Sequence, residues 1–281
     1  NKIEMRPFDT PNFKAAGVKT LKDIMKLAAG QQEEIDNLEV PVPALITVGW
    51  AVEMLRKWGP ESAAFRSRVL GLFPKGGVDS LISLGELQQC VGIKVRAGGK
   101  VLGVDPARFG TNNTSITGLE GMRHYYRKVY QGMDTAYTAN YVMGIVREQN
   151  IRAVAVDCDG LGSGVKDKLV ESREKSGLDF LILEVHNGGE AEEPDKFVNA
   201  RSEDFWRARE AVVAQEVSVL DEGELLHQLS AIKYKFDSQG RIALETKDSM
   251  RRRGMESPDE ADSFVLALRA SRIVGARNSG G

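Results

Sequence analysis

The sequence predicts an α/β fold: a mixed sheet, built from an antiparallel meander plus parallel strands, flanked by helices and preceded by a helical N-terminal extension. Three observations carry this. Val101, Leu102 and Val104 form a short apolar run that stops at Asp105, where Pro106 and Gly110 turn the chain; this reads as a buried strand with a carboxylate at its exit. IRAVAVD, residues 151–157, repeats the design and is followed by the glycines of DGLGSG. Between them, Ala136 to Glu148 carries apolar residues at helical spacing. A strand reached through such a helix normally runs parallel to its predecessor, so both carboxylates should emerge at one end of the sheet.

Taken in order, residues 1–92 read as a helical extension or linker. Phe8 to Phe13, with Pro7 and Pro11, looks extended, while Val18 to Gln32 and Ile46 to Trp58 have helical periodicity. Pro74, Gly76 and Gly77 mark a break at Phe73 to Asp79. Residues 93–281 form the second expected domain. After Asp105 come strands over Thr114 to Leu119 and Met122 to Tyr130, the helix, and the second acid-ended strand. A helix over Val165 to Lys175, a strand over Phe180 to Val185, and helices over Ser202 to Gln215 and Glu222 to Ala231 follow. A hairpin turns at Asp237 to Gly240. The last helix starts at Ser257, with Pro258 at its first position and Glu260 completing a capping box. Phe264, Val265 and Leu268 bury that helix, and Asp259 and Asp262, three apart, share a face.

Composition bounds the function. With 281 residues, 42% hydrophobic and 28% charged, the chain is an ordinary globular protein with a substantial core. A net charge of −2 excludes a globally basic nucleic-acid binder and leaves room for a local basic groove. Two cysteines and three scattered histidines offer neither a disulfide framework nor zinc spacing, and point to a reducing, cytoplasmic setting. No apolar run is long enough for a membrane span. A chain that begins at Asn1 reads as a fragment or processed product.

The acids carry the chemistry. Adjacent strands lie about 4.8 Å apart, so Asp105 and Asp157 would face one small volume. Like charges about 4 Å apart repel by about 4 kcal/mol at an effective dielectric of 20, so one is protonated or a cation sits between them. Alone, Asp105 suits a structural role, capping a turn or pairing with Arg108, as well as it suits binding a metal, and acids in a first helical turn are favoured by the helix dipole without any function. Glu260 is assigned to capping. Four acids in one place, Asp105, Asp157, Asp259 and Asp262, are hard oxygen ligands suited to Mg²⁺ or Mn²⁺, and favour two-metal phosphoryl chemistry.

VLGVDPARFG, AVAVDCDGLGSG and SPDEADSFVLAL, in this order and with these gaps, resemble the three acidic motifs of the RNase H-like nuclease domain of tailed-bacteriophage terminase large subunits. NARSEDFWRARE, LETKDSMRRRG and WAVEMLRKWGPESAAFRSRVLGLFP extend the resemblance over residues 45–274, and the last motif is also similar to the acidic helix of RuvC-type resolvases. The resemblance implies a two-metal endonuclease that cuts concatemeric double-stranded viral DNA in the host cytoplasm. Its implied partners are a terminase small subunit and a portal or procapsid. Asp105 would bind both ions, Asp157 one and Asp259 the other, with Asp262 completing the site or orienting Asp259. Lys247 would neutralise phosphate charge or stand as an exposed hairpin-end lysine. Arg201, Arg207, Arg209, Arg251, Arg252 and Arg253 are candidates for tracking DNA phosphates, or solvated faces.

Two departures stand out. No G-x-x-x-x-G-K-[ST] loop is present, so residues 1–92 resemble only the tail of the packaging ATPase domain; and GTNNTS after Asp105 lacks the acid often found there in that family. Two other readings remain: an actin-like kinase or ATPase, with DGLGSG as a phosphate loop, and a non-catalytic DNA-binding or docking module.

Overall fold

A computed structural model of the chain describes residues 6–60, 65–71, 80–107 and 113–279. The break expected at Phe73 to Asp79, the Asp105–Arg108 pairing and the start of GTNNTS lie outside them. Two compact units are present, Asn1–Asp79 and Ser80–Gly281. The division precedes the expected residue 92 because residues 80–92 are bonded into the second unit. Leu81 N–H donates to Ile232 O, Cys90 Sγ to Val212 O, and Gly92 N–H to Val219 O.

The first unit is helical: α1 (Pro11–Ala15), α2 (Leu21–Ala29), α3 (Gln32–Asp36) and α4 (Val48–Trp58). Phe8 to Phe13 is not extended. Pro7 starts a 3₁₀ turn and Pro11 starts α1, each supplying the fixed φ of a first helical position. The pattern over Val18 to Gln32 is divided at Gly30, after α2 has been opened by a capping box of Thr20 and Asp23.

In the second unit, α5 (Leu84–Gln89) leads to β1 (Lys100–Asp105), β2 (Thr114–Glu120) and β3 (Arg123–Tyr130). Then come α6 (Thr135–Gln149), β4 (Ile151–Asp157), α7 (Gly162–Ser176) and β5 (Leu181–Val185). The chain ends with α8 (Ala200–Val213), α9 (Gly223–Ala231), the hairpin β6 (Tyr234–Phe236) and β7 (Ile242–Leu244), α10 (Lys247–Arg252) and α11 (Asp259–Ser279). The sheet order is β3-β2-β1-β4-β5; β1, β2 and β3 pair antiparallel, and β4 lies parallel to both β1 and β5. The mixed sheet is as expected, while α10 is an addition whose sequence signal is Thr246, an N-cap accepting from Ser249 N–H.

Strand alternation sorts the two faces. Leu102, Val104, Val154 and Val156 pack with Val142, Val146 and Leu169 of α6 and α7. The intervening positions, Gly103, Ala153 and Ala155, are small, and α11 lies on them. A Cβ added at Gly103 would stand 2.1 Å from Ser263 O and 2.4 Å from Ala267 N, so helix backbone rests on strand backbone. Ser263 Oγ lies 2.8 Å from both Ser115 Oγ and Thr117 Oγ1, which satisfies three buried hydroxyls at once and fixes the rotation of the helix.

His124, buried on β3, accepts from Leu220 N–H at Nδ1 (3.4 Å), and Nε2 lies 3.1 Å from Tyr126 O. This arrangement suits the neutral ring with its proton on Nε2. Burial, with help from Arg127 and against the Tyr126 bond, lowers its pKa from 6.5 to about 4. Between those values the unfolded chain binds a proton that the fold refuses, so this stability is complete above pH 6.5 and is lost as pH falls toward 4. Denaturant titrations at pH 7.5 and 4.5 should show His124→Gln losing about 2–3 kcal/mol less than the parent over that range; equal losses would remove His124 as the cause.

Candidate metal centre

Alternation also places the acids. Asp105 follows Gly103 by two residues and so shares the α11 face, and Asp157 bears the same relation to Ala155, the residue in register with Gly103. One step beyond the last pair, Val104 with Val156, the two carboxylates leave neighbouring strands side by side. The start of α11 brings Asp259 and Asp262 over them. All four are buried, at 7%, 7%, 4% and 2% exposure.

Their circumstances differ. Asp105 has no hydrogen-bond donor among the described residues. Burial pushes its pKa well above the usual carboxylate range, and Asp262, Asp157 and Asp259 push the same way against Lys247. Asp157 is raised by burial, although it accepts from Asp159 N–H (2.9 Å) and Asn187 Nδ2 (2.7 Å) and feels Lys247. Asp259 is raised by burial against Ser257, the Asn113 N–H (2.9 Å) and Lys247. Asp262 alone is lowered, because Arg201 and Lys247 outweigh its burial. Arg201 Nη2 lies 3.0 Å from Asp262 Oδ1, and Lys247 Nζ lies 2.8 Å from Oδ2.

Several expectations change accordingly. Asp262 is committed to two cations and holds them in place. Lys247 is no free hairpin end: it opens α10, and its ammonium favours the charged form of all four acids. The capping box does not form at α11. The Gln228 Oε1 accepts from Glu260 N–H (2.9 Å) and Ala261 N–H (3.1 Å), while the Glu260 carboxylate takes a bidentate pair from Arg127 at 2.5 and 2.6 Å.

The arginines expected to track phosphates are mostly engaged. Arg201 is buried against Asp262; Arg207 pairs with Glu203, Glu192 and Glu193; Arg253 holds Glu245 and Arg251 holds Asp248. Arg209 stacks on Trp206 at 4.9 Å, and Arg252 is exposed. Sequence reading missed Asn187, which fixes Asp157 and whose carbonyl accepts from Arg201 N–H. Its signal is a polar side chain two residues past the end of β5.

A cleft of about 400 Å³ borders Asp157, Asn187 and Lys247, and another of about 330 Å³ borders Asp259, Asn113 and Arg251. Among the described residues, no three acid, histidine or cysteine side chains stand close enough together to hold one ion between them. In charge and hardness, Asp105, Asp157 and Asp259 fit a divalent oxygen-ligated cation, and their burial asks for one; Asp262, already neutralised, does not.

No protein-family model matches the chain, and no curated protein matches it. Among solved structures, it is similar to the nuclease domain of the large terminase subunit gp2 of bacterial virus Sf6, with a TM-score of 0.58 and 21% identity over 67% of this chain and 98% of that one. A mutant of that domain with manganese and beta-thujaplicinol gives 0.57 and 20%, and one with calcium 0.58 and 19%, at the same coverage. At these identities the likeness is one of fold: the sheet and helices described above have the RNase H-like fold of large-terminase nuclease domains.

Proposed function

We propose that this chain is a divalent-metal-dependent endonuclease that hydrolyses phosphodiester bonds of double-stranded DNA during the packaging of concatemeric viral genomes. The observation that carries this reading is the meeting of Asp105, Asp157 and Asp259, from two parallel strand ends and a helix start, as buried carboxylates short of counter-charge. Mg²⁺ or Mn²⁺, in a pair, supplies charge neutralisation at the phosphate and activation of the attacking water when bound. Asp105 would help to hold both ions, with Asp157 holding one and Asp259 the other. Asn187 and the Asp159 N–H hold Asp157 in one orientation. Lys247, anchored on Asp262, offers its remaining protons to the phosphate. The two clefts on either side of the acids give the DNA strand its path.

The manganese and calcium present with the similar Sf6 domain support the choice of divalent ions. In this reading residues 1–79 are the helical tail of a packaging ATPase, and the working partners are a terminase small subunit and a portal or procapsid in the host cytoplasm. No helix among the described residues is long and apolar enough to cross a membrane.

Supercoiled plasmid incubated with the protein and Mg²⁺ or Mn²⁺ should be nicked and linearised, and left intact in EDTA. Cutting that persists in EDTA overturns the metal reading, and ATP turnover without cutting favours the kinase-like one.

A further inference from the structure

At the end of the sheet where β1 and β4 begin, opposite the carboxylates, three clefts run into one another. The first, about 700 Å³, is bordered by Lys94, Arg96, Arg207 and Arg272. The second, about 350 Å³, shares Arg96, Met122 and Arg272 with it. The third, about 480 Å³, shares Gly99 and Val274 with the second and adds Arg152 and Arg277. Along the three, Lys94, Arg96, Arg152 and Arg277 stand beside three acids, Glu210, Glu216 and Asp179, while Arg207 is held by Glu203, Glu192 and Glu193 and Arg272 by Asp204.

Lys94, Arg96, Arg152 and Arg277 are exposed, and none has a carboxylate partner among the described residues, in a protein whose net charge is −2. Elsewhere among the described residues of this unit some surface cations are matched, Arg123 with Glu120, Lys175 with Glu171, Arg241 with Asp237 and Arg251 with Asp248, and others, such as Arg147, Lys168 and Arg252, are not; what sets Lys94, Arg96, Arg152 and Arg277 apart is that they line adjoining clefts. Arg272 is part-buried between the first two clefts. Its nearest acid, Asp204, lies 3.6 Å away and already holds Arg269 at 2.7 Å. Burial pushes the Arg272 pKa down, and Arg207 and Arg269 add to this against Asp204 and Glu192.

The support is rigid. A Cβ on Gly98 would stand 2.8 Å from Gly121 Cα, and one on Gly121 2.4 Å from Arg96 O, so the segment carrying Lys94 and Arg96 is stacked directly on the β2–β3 turn. Met122 N–H donates to Arg96 O and Gly121 N–H to Gly99 O.

Arginines spread along a connected groove suit repeated phosphates better than one compact anion, because each planar fork can take a phosphate in bidentate fashion. We infer that this end of the sheet is a second nucleic-acid surface, which grips the phosphate backbone of double-stranded DNA on a stretch that is not being cut. Six residues of β1 put it about 20 Å from the carboxylates. From the proposed function it takes only that DNA is the substrate.

The test is binding of a fluorescein-labelled 30-bp duplex in EDTA, where cutting plays no part, by anisotropy over a range of salt. Reversing Lys94, Arg96, Arg152 and Arg277 to Glu together should weaken binding at least tenfold at 50 mM salt. It should also make the log–log salt slope shallower by about 3 to 4, one counterion's worth per lost phosphate contact. The same reversals at the exposed Lys22, Lys26, Lys168 and Lys175 control for net charge and should change binding several-fold less. A Gln set at the four positions, checked by circular dichroism, should move the same way and guards against misfolding. Equal loss in the test and control sets, unchanged binding, no duplex binding by the parent, or saturable binding of a poly-glutamate peptide in place of DNA each overturn the inference. Failure to cut plasmid with Mg²⁺ or Mn²⁺ counts against the nuclease alone and leaves this result standing.

Discussion

Asp105→Asn is expected to reduce metal-dependent cutting by about 10³-fold or more, the equivalent of about 4 kcal/mol of lost charge stabilisation in the transition state, and at the same time to make the metal-free protein more stable. The two effects share one cause. Asp105 is buried, has no donor among the described residues and faces three other carboxylates, and its burial and those charges raise its pKa and make its ionised form a cost to the fold. Above the ordinary carboxylate range, at about pH 4, the unfolded chain has released a proton that folded Asp105 still retains. This group's contribution therefore falls as pH rises through its raised folded pKa. Asparagine fills the same space without a charge and removes that slope, and Mg²⁺ added to the parent should remove it too by supplying the counter-charge. Plasmid cutting and urea unfolding at pH 5 and 8, with and without Mg²⁺, check both halves. A variant that still cuts, or one that is less stable than the metal-free parent at pH 8, would show that Asp105 is a structural acid.

Gly103→Ala should unfold the second unit more easily by about 3 kcal/mol or more, at the upper end of overpacking costs. The added methyl meets Ser263 O at 2.1 Å and Ala267 N at 2.4 Å, and both are helix backbone that no rotamer change can move aside. Relief requires α11 to lift from β1, which also carries Asp259 away from Asp105, so cutting should fall with stability. Gly144→Ala is the comparison. It lies inside α6, where an added Cβ meets nothing within 4 Å, and alanine there should be neutral or stabilising by about 0.5–1 kcal/mol. Equal responses in chemical denaturation would mean that α11 is not seated on Gly103 as described.

Much of this was legible in the sequence because burial writes plainly. Apolar runs that stop at Asp105 and Asp157, with a helical pattern between them, lead directly to neighbouring parallel strands and to two acids at one sheet end. The acidic helix was legible for the same reason, since Phe264, Val265 and Leu268 mark its buried side. What stayed hidden was the choice of partners across long separations. Spacing within SPDEADS cannot say that Glu260 turns to Arg127, that Gln228 caps the helix, or that Asp262 is held by Arg201 and Lys247 while Asp259 is not. Those assignments depend on where α8, α9, α10 and β3 come to rest, and the nearest of these partners, Lys247, is already fifteen positions from Asp262. The short helix carrying Lys247 was missed as well, because six residues give too few turns for a period to show.

The seat of α11 on Gly103, Ala153 and Ala155, keyed by Ser263 against Ser115 and Thr117, has a consequence for how such a molecule tolerates change. Because strand and helix backbones touch there, the separation between the strand-end acids and the helix acids is set by main chain and not by how well large side chains happen to fill a layer. Repacking around α6 and α7, on the far face, can therefore vary widely while the reactive geometry stays put. A designer seeking a sturdier protein, or a population drifting neutrally, has freedom in one layer of this sheet and almost none in the other.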